Sequence, residues 1–311
     1  MGYGSGECAE PANLFIARMR TITFFCFVLY LGGCKAHPSL PKEPPSPPDP
    51  VAHIYREVGG EALQAYVFSP PLGVSENEPT SAVLLFHGGG WSAGMPDWTF
   101  GAAQRFADHG MVAIPIQYRL SAGDISPIDA LADVCAAFRW ARMQADELGI
   151  DPDRVAVYGV SAGGHLVTST ATVGCPEEGS GDVRSEPDAL LLWSPALDMA
   201  RDGWFEQKLQ GRAAAEAYSP VEHVQASTPP TSIVQGAADT LTPLSGAQEF
   251  CRRLTELGRT CDLNVFEGVG HLLTRNLANQ EGAFDPDPAA VAEGVEDHLR
   301  FLETLGFIAP E

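Results

Sequence analysis

Beyond residue 51 the chain alternates short apolar runs with longer segments of helical period. Residues 82–86 (AVLLF) are continuously apolar, the pattern of a strand covered on both faces. Further strands are predicted at 112–117, 155–158, 189–193, 231–235 and 263–266. Residues 53–58 and 62–68 precede them as an antiparallel pair, which makes eight. Between the strands lie helical patterns. Residues 100–109 stop at Gly110, and 129–148 carry Leu131, Val134, Cys135, Phe138, Ala141 and Ala145 at spacings of three and four. Residues 162–173, 243–257 and 289–305 complete the set. This order predicts an α/β fold: a mostly parallel eight-stranded sheet with helices on both faces. The stretch 196–218, which contains Trp204 and Phe205, breaks the alternation and reads as a small cap insertion. In such sheets ligands bind beyond the carboxyl ends of the strands, so functional side chains are expected just after strands.

The first fifty residues have a different character. Residues 22–31 (ITFFCFVLYL) form an apolar run preceded by Arg18 and Arg20. Ten residues are too few to cross a bilayer but suit the core of a secretory signal. The run ends in Leu31-Gly32-Gly33-Cys34 and resembles a bacterial lipoprotein signal, with Met19 a more conventional start than Met1 and Cys34 the acylated residue. The alternative is a buried first element that ends at a cysteine. Residues 37–50 (HPSLPKEPPSPPDP) hold seven prolines in fourteen positions, which favours an extended spacer. The expected organisation is therefore a signal segment at 1–34, a tether at 35–50 and one catalytic domain at 51–311. Its expected location is outside the cytoplasm, anchored to a bacterial membrane only through the N-terminal lipid.

Composition narrows the partners. Among 311 residues 45% are apolar, and 40 acidic against 19 basic residues give a formal net charge of −21. Residues 1–33 hold two of each sign (Glu7, Glu10, Arg18, Arg20), so that charge belongs entirely to the rest of the chain. A surface this negative excludes nucleic acid and electrostatic docking on anionic lipid. Cys135, Cys175, Cys251 and Cys261 show no C-x-x-C spacing, and no metal site is expected. Cys251 on a helix and Cys261 at the start of the next strand are placed to form a disulfide, with two free thiols as the alternative.

Gly159-Val160-Ser161-Ala162-Gly163 fits G-x-S-x-G between a predicted strand and a predicted helix. That turn strains the serine backbone and holds its hydroxyl clear of the sheet, which makes Ser161 the candidate nucleophile. His87-Gly88-Gly89-Gly90-Trp91 follows the third strand. Its consecutive glycines let the N–H groups of Gly89 and Gly90 converge with that of Ala162 as an oxyanion hole, with Gly88 and His87 supporting the loop. Trp91 is either a pocket wall or a packing residue, and Trp204 in the cap is a second pocket candidate. Of eight histidines, His87 is assigned to the glycine loop, and His271 stands in the loop after the last strand at the expected sheet edge. Asp239 follows the preceding strand and is the expected partner that orients it.

From about residue 82 to 271 the chain resembles α/β-hydrolase esterases of the hormone-sensitive-lipase-like group. It is also similar to the bacterial carbohydrate-esterase and feruloyl-esterase-like branch. The carrying segments are HGGGW (87–91), QYRL (117–120), DPDRVAVYGVSAGGHL (151–166), GAADTLTP (236–243) and EGVGH (267–271). Val160 stands where the first group usually has an acidic residue, which favours the second branch. The order Ser161, Asp239, His271 is that of α/β-hydrolases. The resemblance implies a cofactor-free serine carboxylester hydrolase for short- to medium-chain acyl esters, including acetyl or feruloyl esters of carbohydrates. Its substrate would be a small-molecule or oligosaccharide ester. An amidase, a formamidase or a peptidase on the same fold, and a non-catalytic binding module, are the alternatives.

Overall fold

The computed structural model of the chain describes residues 49–71, 79–176 and 183–310. The expected signal, Cys34 and all but the last two residues of the tether lie outside them. Among the described residues no helix is long and apolar enough to cross a membrane. The described residues open with a hairpin of β1 (Val51–Val58) and β2 (Glu61–Val67), joined through Gly59 and Gly60, both at positive φ. After β3 (Thr80–Phe86) come α1 (Phe100–Asp108), β4 (Val112–Pro115), α2 (Pro127–Met143), α3 (Ala145–Leu148) and β5 (Ile150–Val160). Then follow α4 (Ala162–Thr172), β6 (Ala189–Trp193), α5 (Gly203–Lys208), β7 (Thr231–Gly236), α6 (Leu244–Glu256), β8 (Cys261–Phe266) and α7 (Pro288–Thr304). The predicted helix 129–148 is thus two helices, with Gln144 outside helical geometry between them.

Six strands, in the order β4-β3-β5-β6-β7-β8, form one wholly parallel sheet. The predicted single sheet of eight strands is corrected here: β1 and β2 form a sheet of their own. Only isolated antiparallel bridges, Ala65 to Ile116 and Phe68 to Ala113, join the hairpin to the outer edge of β4. The cause is Pro115. On that outer edge Ala113 donates to Phe68 and Gln117 donates to Gln64, but the intervening Pro115 has no N–H.

Period-two alternation divides the core. Leu84, Phe86, Val157, Leu190 and Ile233 point to the face covered by α2, α4 and α6. Val83, Leu85, Ala156 and Leu191 point to the face covered by α1 and α7. Two disulfides brace the first of these faces. Cys251 on α6 is bonded to Cys261 at the start of β8, as expected. Cys135 on α2 is also bonded to Cys175 just beyond α4, a pairing 40 residues apart for which the spacing gives no sign.

Candidate active site

Ser161 sits where β5 turns into α4, at φ 51° and ψ −116°. A non-glycine residue there costs of order 1–3 kcal/mol and persists only when its surroundings impose it. Here they do. The Ser161 N–H donates to the Trp193 carbonyl at 2.9 Å, and its carbonyl accepts from His165 at 3.1 Å. The turn closes tightly because Gly159 and Gly163 lack side chains. A Cβ on Gly163 would run into the carbonyls of Phe86 and His87, and one on Gly159 would stand 2.8 Å from the Gly164 backbone.

His271 and Asp239 arrive from the loops after β8 and β7. The Ser161 hydroxyl lies 3.0 Å from His271 Nε2, and His271 Nδ1 lies 2.9 Å from Asp239 Oδ2. A carboxylate can only accept, so Nδ1 carries the proton and Nε2 is left as the acceptor facing the serine. The carboxylate is itself fixed. Its Oδ1 accepts from the N–H groups of Leu241 and Thr242 at 2.9 and 2.8 Å. Its Oδ2 accepts from the Gln235 amide at 3.0 Å and the Thr242 hydroxyl at 2.8 Å. His271 and Asp239 are 3% and 5% exposed, which keeps competing water from both.

Three positioning groups were not candidates in the sequence, although Thr242 lies within the 236–243 segment. Gln280 Oε1 accepts from the His271 N–H at 2.8 Å and the Thr240 N–H at 3.2 Å, while its amide donates to the Ala238 carbonyl at 3.0 Å. One buried side chain thus clasps the aspartate loop to the histidine loop. The Ser194 hydroxyl accepts from the Leu272 N–H at 3.1 Å, which holds a residue at φ 55° beside His271. Thr242 touches Asp239, His271 Nδ1 (3.1 Å) and the Ser194 carbonyl (3.0 Å).

The glycine loop is built as its sequence suggested. Gly89 and Gly90 have φ of 106° and 57°, which L side chains rarely adopt. His87 is no base toward Ser161. Its Nδ1 donates to the Gly88 carbonyl at 2.7 Å, and its ring stacks on Tyr118 at 4.3 Å. Burial lowers its pKa from 6.5 and keeps it neutral. The Tyr118 hydroxyl in turn donates to the His87 carbonyl at 2.8 Å. Next to it, Arg119 makes a two-pronged pair with the buried Asp133 of α2, at 2.8 and 3.0 Å. The QYRL segment therefore anchors the loop that shapes the site.

A cavity of about 760 Å³ collects these residues. Ser161, His271, Gly88, Gly89, Gly90 and Ala162 line its floor, and Trp91, Met199, Trp204 and Phe284 line its sides. Trp91 fills both of its expected roles. It lines the cavity, yet it is 3% exposed and donates from Nε1 to His165 Nδ1 at 3.2 Å. His165 Nε2 donates to the Tyr218 carbonyl at 2.7 Å, and burial pushes this histidine down to about 4, so it remains a neutral linker. The cap insertion supplies Met199 and Trp204, and α5 is moored by Lys208, which donates to the Ser92 hydroxyl at 3.0 Å. Among the described residues no three His, Cys, Asp or Glu side chains gather to hold a metal ion.

Such an arrangement can deprotonate a hydroxyl and stabilise negative charge beside it, and comparisons with known proteins agree with that chemistry. The family model of the α/β hydrolase fold matches residues 83–215. The ethyl acetate hydrolase of Pseudomonas putida is 36% identical over 266 residues, covering 77% of this chain and 80% of that protein. The carboxylesterase NlhH of Mycobacterium tuberculosis is 36% identical over 145 residues, or 45% of this chain and 42% of that one. The esterase 2 of Thermogutta terrifontis superposes with a TM-score of 0.75 at 32% identity, covering 86% of this chain and 96% of its own. The chain belongs to the α/β-hydrolase family, on its hormone-sensitive-lipase-like branch. It spans about half or less of the length of the mycobacterial relatives, 46% for the probable carboxylic ester hydrolase LipM and 42% for NlhH.

Proposed function

We propose that the protein is a serine carboxylester hydrolase acting on short- to medium-chain acyl esters. The observation that carries this is the unbroken line from Ser161 Oγ through His271 to Asp239, at 3.0 and 2.9 Å, facing the glycine loop across one cavity. His271 Nε2 takes the proton of Ser161 as its oxygen attacks the ester carbonyl, and Asp239 stabilises the imidazolium that results. The N–H groups of Gly89, Gly90 and Ala162 receive the developing oxyanion. His271 then returns its proton to the leaving alcohol. Water, deprotonated by the same His271, cleaves the acyl-enzyme and regenerates Ser161.

Solved forms of the Thermogutta esterase 2 include complexes with propionate and butyrate, which supports small acyl groups here. For the finer identity we include acetyl and feruloyl esters of carbohydrates. Trp98, Trp204 and Phe284, exposed by 60%, 49% and 42% at the cavity mouth, are side chains that can stack on sugar or aryl rings. We also place the protein outside the cytoplasm, held by a lipid on Cys34; two disulfides in one domain support an oxidising compartment. Intact-mass analysis of native protein checks the anchor, which an unmodified Met1 or Met19 would contradict.

The functional test is hydrolysis of p-nitrophenyl acetate beside the matched anilide, with wild type and Ser161→Ala. The ester is expected to turn over with the anilide much slower, and the variant to lose on the order of 10⁴-fold or more. An active Ser161→Ala protein would refute the mechanism, and a preference for the anilide would move the reading to an amidase.

A further inference from the structure

Beside the cavity at Ser161 lies a second, of about 370 Å³, in the groove between α1 and α7. The two share Trp98, Val160 and Leu272 as lining residues. Two of the three are chain neighbours of the reacting groups, since Val160 precedes Ser161 and Leu272 follows His271. The walls are chiefly apolar, with Phe106, Trp193, Val295 and Leu299 among them. Interhelical grooves in a packed protein are normally filled by side chains. Here α1 lines the groove with Gly101 and Ala102, and a Cβ on Gly101 would meet no atom within 4 Å. At the inner wall His298 is bonded through Nδ1 to the Ser232 hydroxyl at 3.0 Å, while its buried Nε2 has no hydrogen-bond partner.

We propose that this groove continues the substrate site and takes an alkyl chain of the ester, which crosses the sill of Val160 and Leu272 from Ser161. The assignment rests on the ester-hydrolase reading above. It follows from continuity: a chain leaving the first cavity over that sill enters a chiefly apolar groove. A free apolar ligand would have no such reason to lie against the neighbours of Ser161 and His271. Short esters are served by the first cavity alone, so the groove sets how the enzyme ranks chain lengths. Each methylene that enters it is expected to raise kcat/KM about fourfold, the equivalent of ~0.8 kcal/mol.

Two variants fill the groove from opposite walls, Val295→Trp on α7 and Ala102→Trp on α1. Two substrate series, p-nitrophenyl alkanoates from acetate to dodecanoate and alkyl acetates from ethyl to decyl, are assayed with each. Wild type is expected to show the stepwise rise in one series, which identifies the acyl or the alcohol side as the occupant. Both variants keep the acetate rate and lose tenfold or more at ten carbons. A rate profile that is flat in wild type, or unchanged in both variants, overturns the proposal. Binding of decan-1-ol to Ser161→Ala protein, followed by calorimetry, decides the matter without turnover. It is expected to weaken at least tenfold when Val295→Trp is added, and unchanged binding counts against the groove. If wild type hydrolyses no ester, the ester-hydrolase reading falls, and the alcohol titration still tests the groove.

Discussion

At the floor of the cleft Asp239 and His271 are 5% and 3% exposed, and their side-chain polar atoms all have partners. At its rim Trp98 and Phe284 are 60% and 42% exposed, with their rings 6.0 Å from His87 and 6.3 Å from His271. The floor is over-determined: Ser161 is kept at a strained φ because neighbouring strands and tight glycines leave it no other place. The rim is held more loosely, by ring contacts on one side with solvent on the other. That difference assigns the chemistry to the floor and the choice of substrate to the rim and groove, and it ranks the effects of substitution.

After Ser161→Ala, the largest effect is expected for Asp239→Asn. An amide at this position no longer enforces the Nδ1–H tautomer of His271, and kcat should fall about 10⁴-fold with KM little changed. Gly89→Ala comes next. It forces a side chain onto φ 106° and against the Ala93 carbonyl, so the glycine loop must shift, with a loss of about 10²–10³ in kcat. Gln280→Leu tests whether the floor depends on a residue remote from the reacting atoms. Two N–H groups, of Thr240 and His271, lose their acceptor at about 1–3 kcal/mol each. The melting temperature should drop by several degrees and kcat by roughly tenfold, with partial recovery in Gln280→Glu, which can still accept both. At the rim, Phe284→Ala should raise KM no more than about threefold and leave kcat alone. A larger loss there than at Gln280 would undo the comparison.

Acid tests the buried histidines without a mutation. His165 and His298 are buried and titrate at about 4 and about 3 when folded, against 6.5 when unfolded. Between those values the unfolded chain binds more protons, so stability falls as pH drops from about 6.5 to about 3. Urea midpoints measured at half-unit intervals should decline through that window, and His298→Gln should flatten the lower part of the decline. A midpoint independent of pH there would contradict the buried, neutral assignment.

Much of the floor was legible because its chemistry is local. G-x-S-x-G and HGGGW each state a turn, and the order of Ser161, Asp239 and His271 follows strand ends that apolar runs reveal. What was hidden is tertiary. Gln280 lies in a loop without periodicity, and only the fold brings it between two other loops. The Cys135–Cys175 bridge needs α2 packed beside the far end of α4, which no spacing announces. The separation of the hairpin from the main sheet turned on one missing N–H, at Pro115, whose outward direction depends on strand register.

On the proposed mechanism Ser161 alone is raised to a nucleophile by the groups packed around it. Treating the folded protein with a fluorophosphonate and reading the intact mass, followed by peptide mapping, addresses it directly. One adduct per chain is expected, on Ser161, that is absent in Ser161→Ala and forms much more slowly in Asp239→Asn. Labelling of a different residue, or equal labelling of all three proteins, would contradict it.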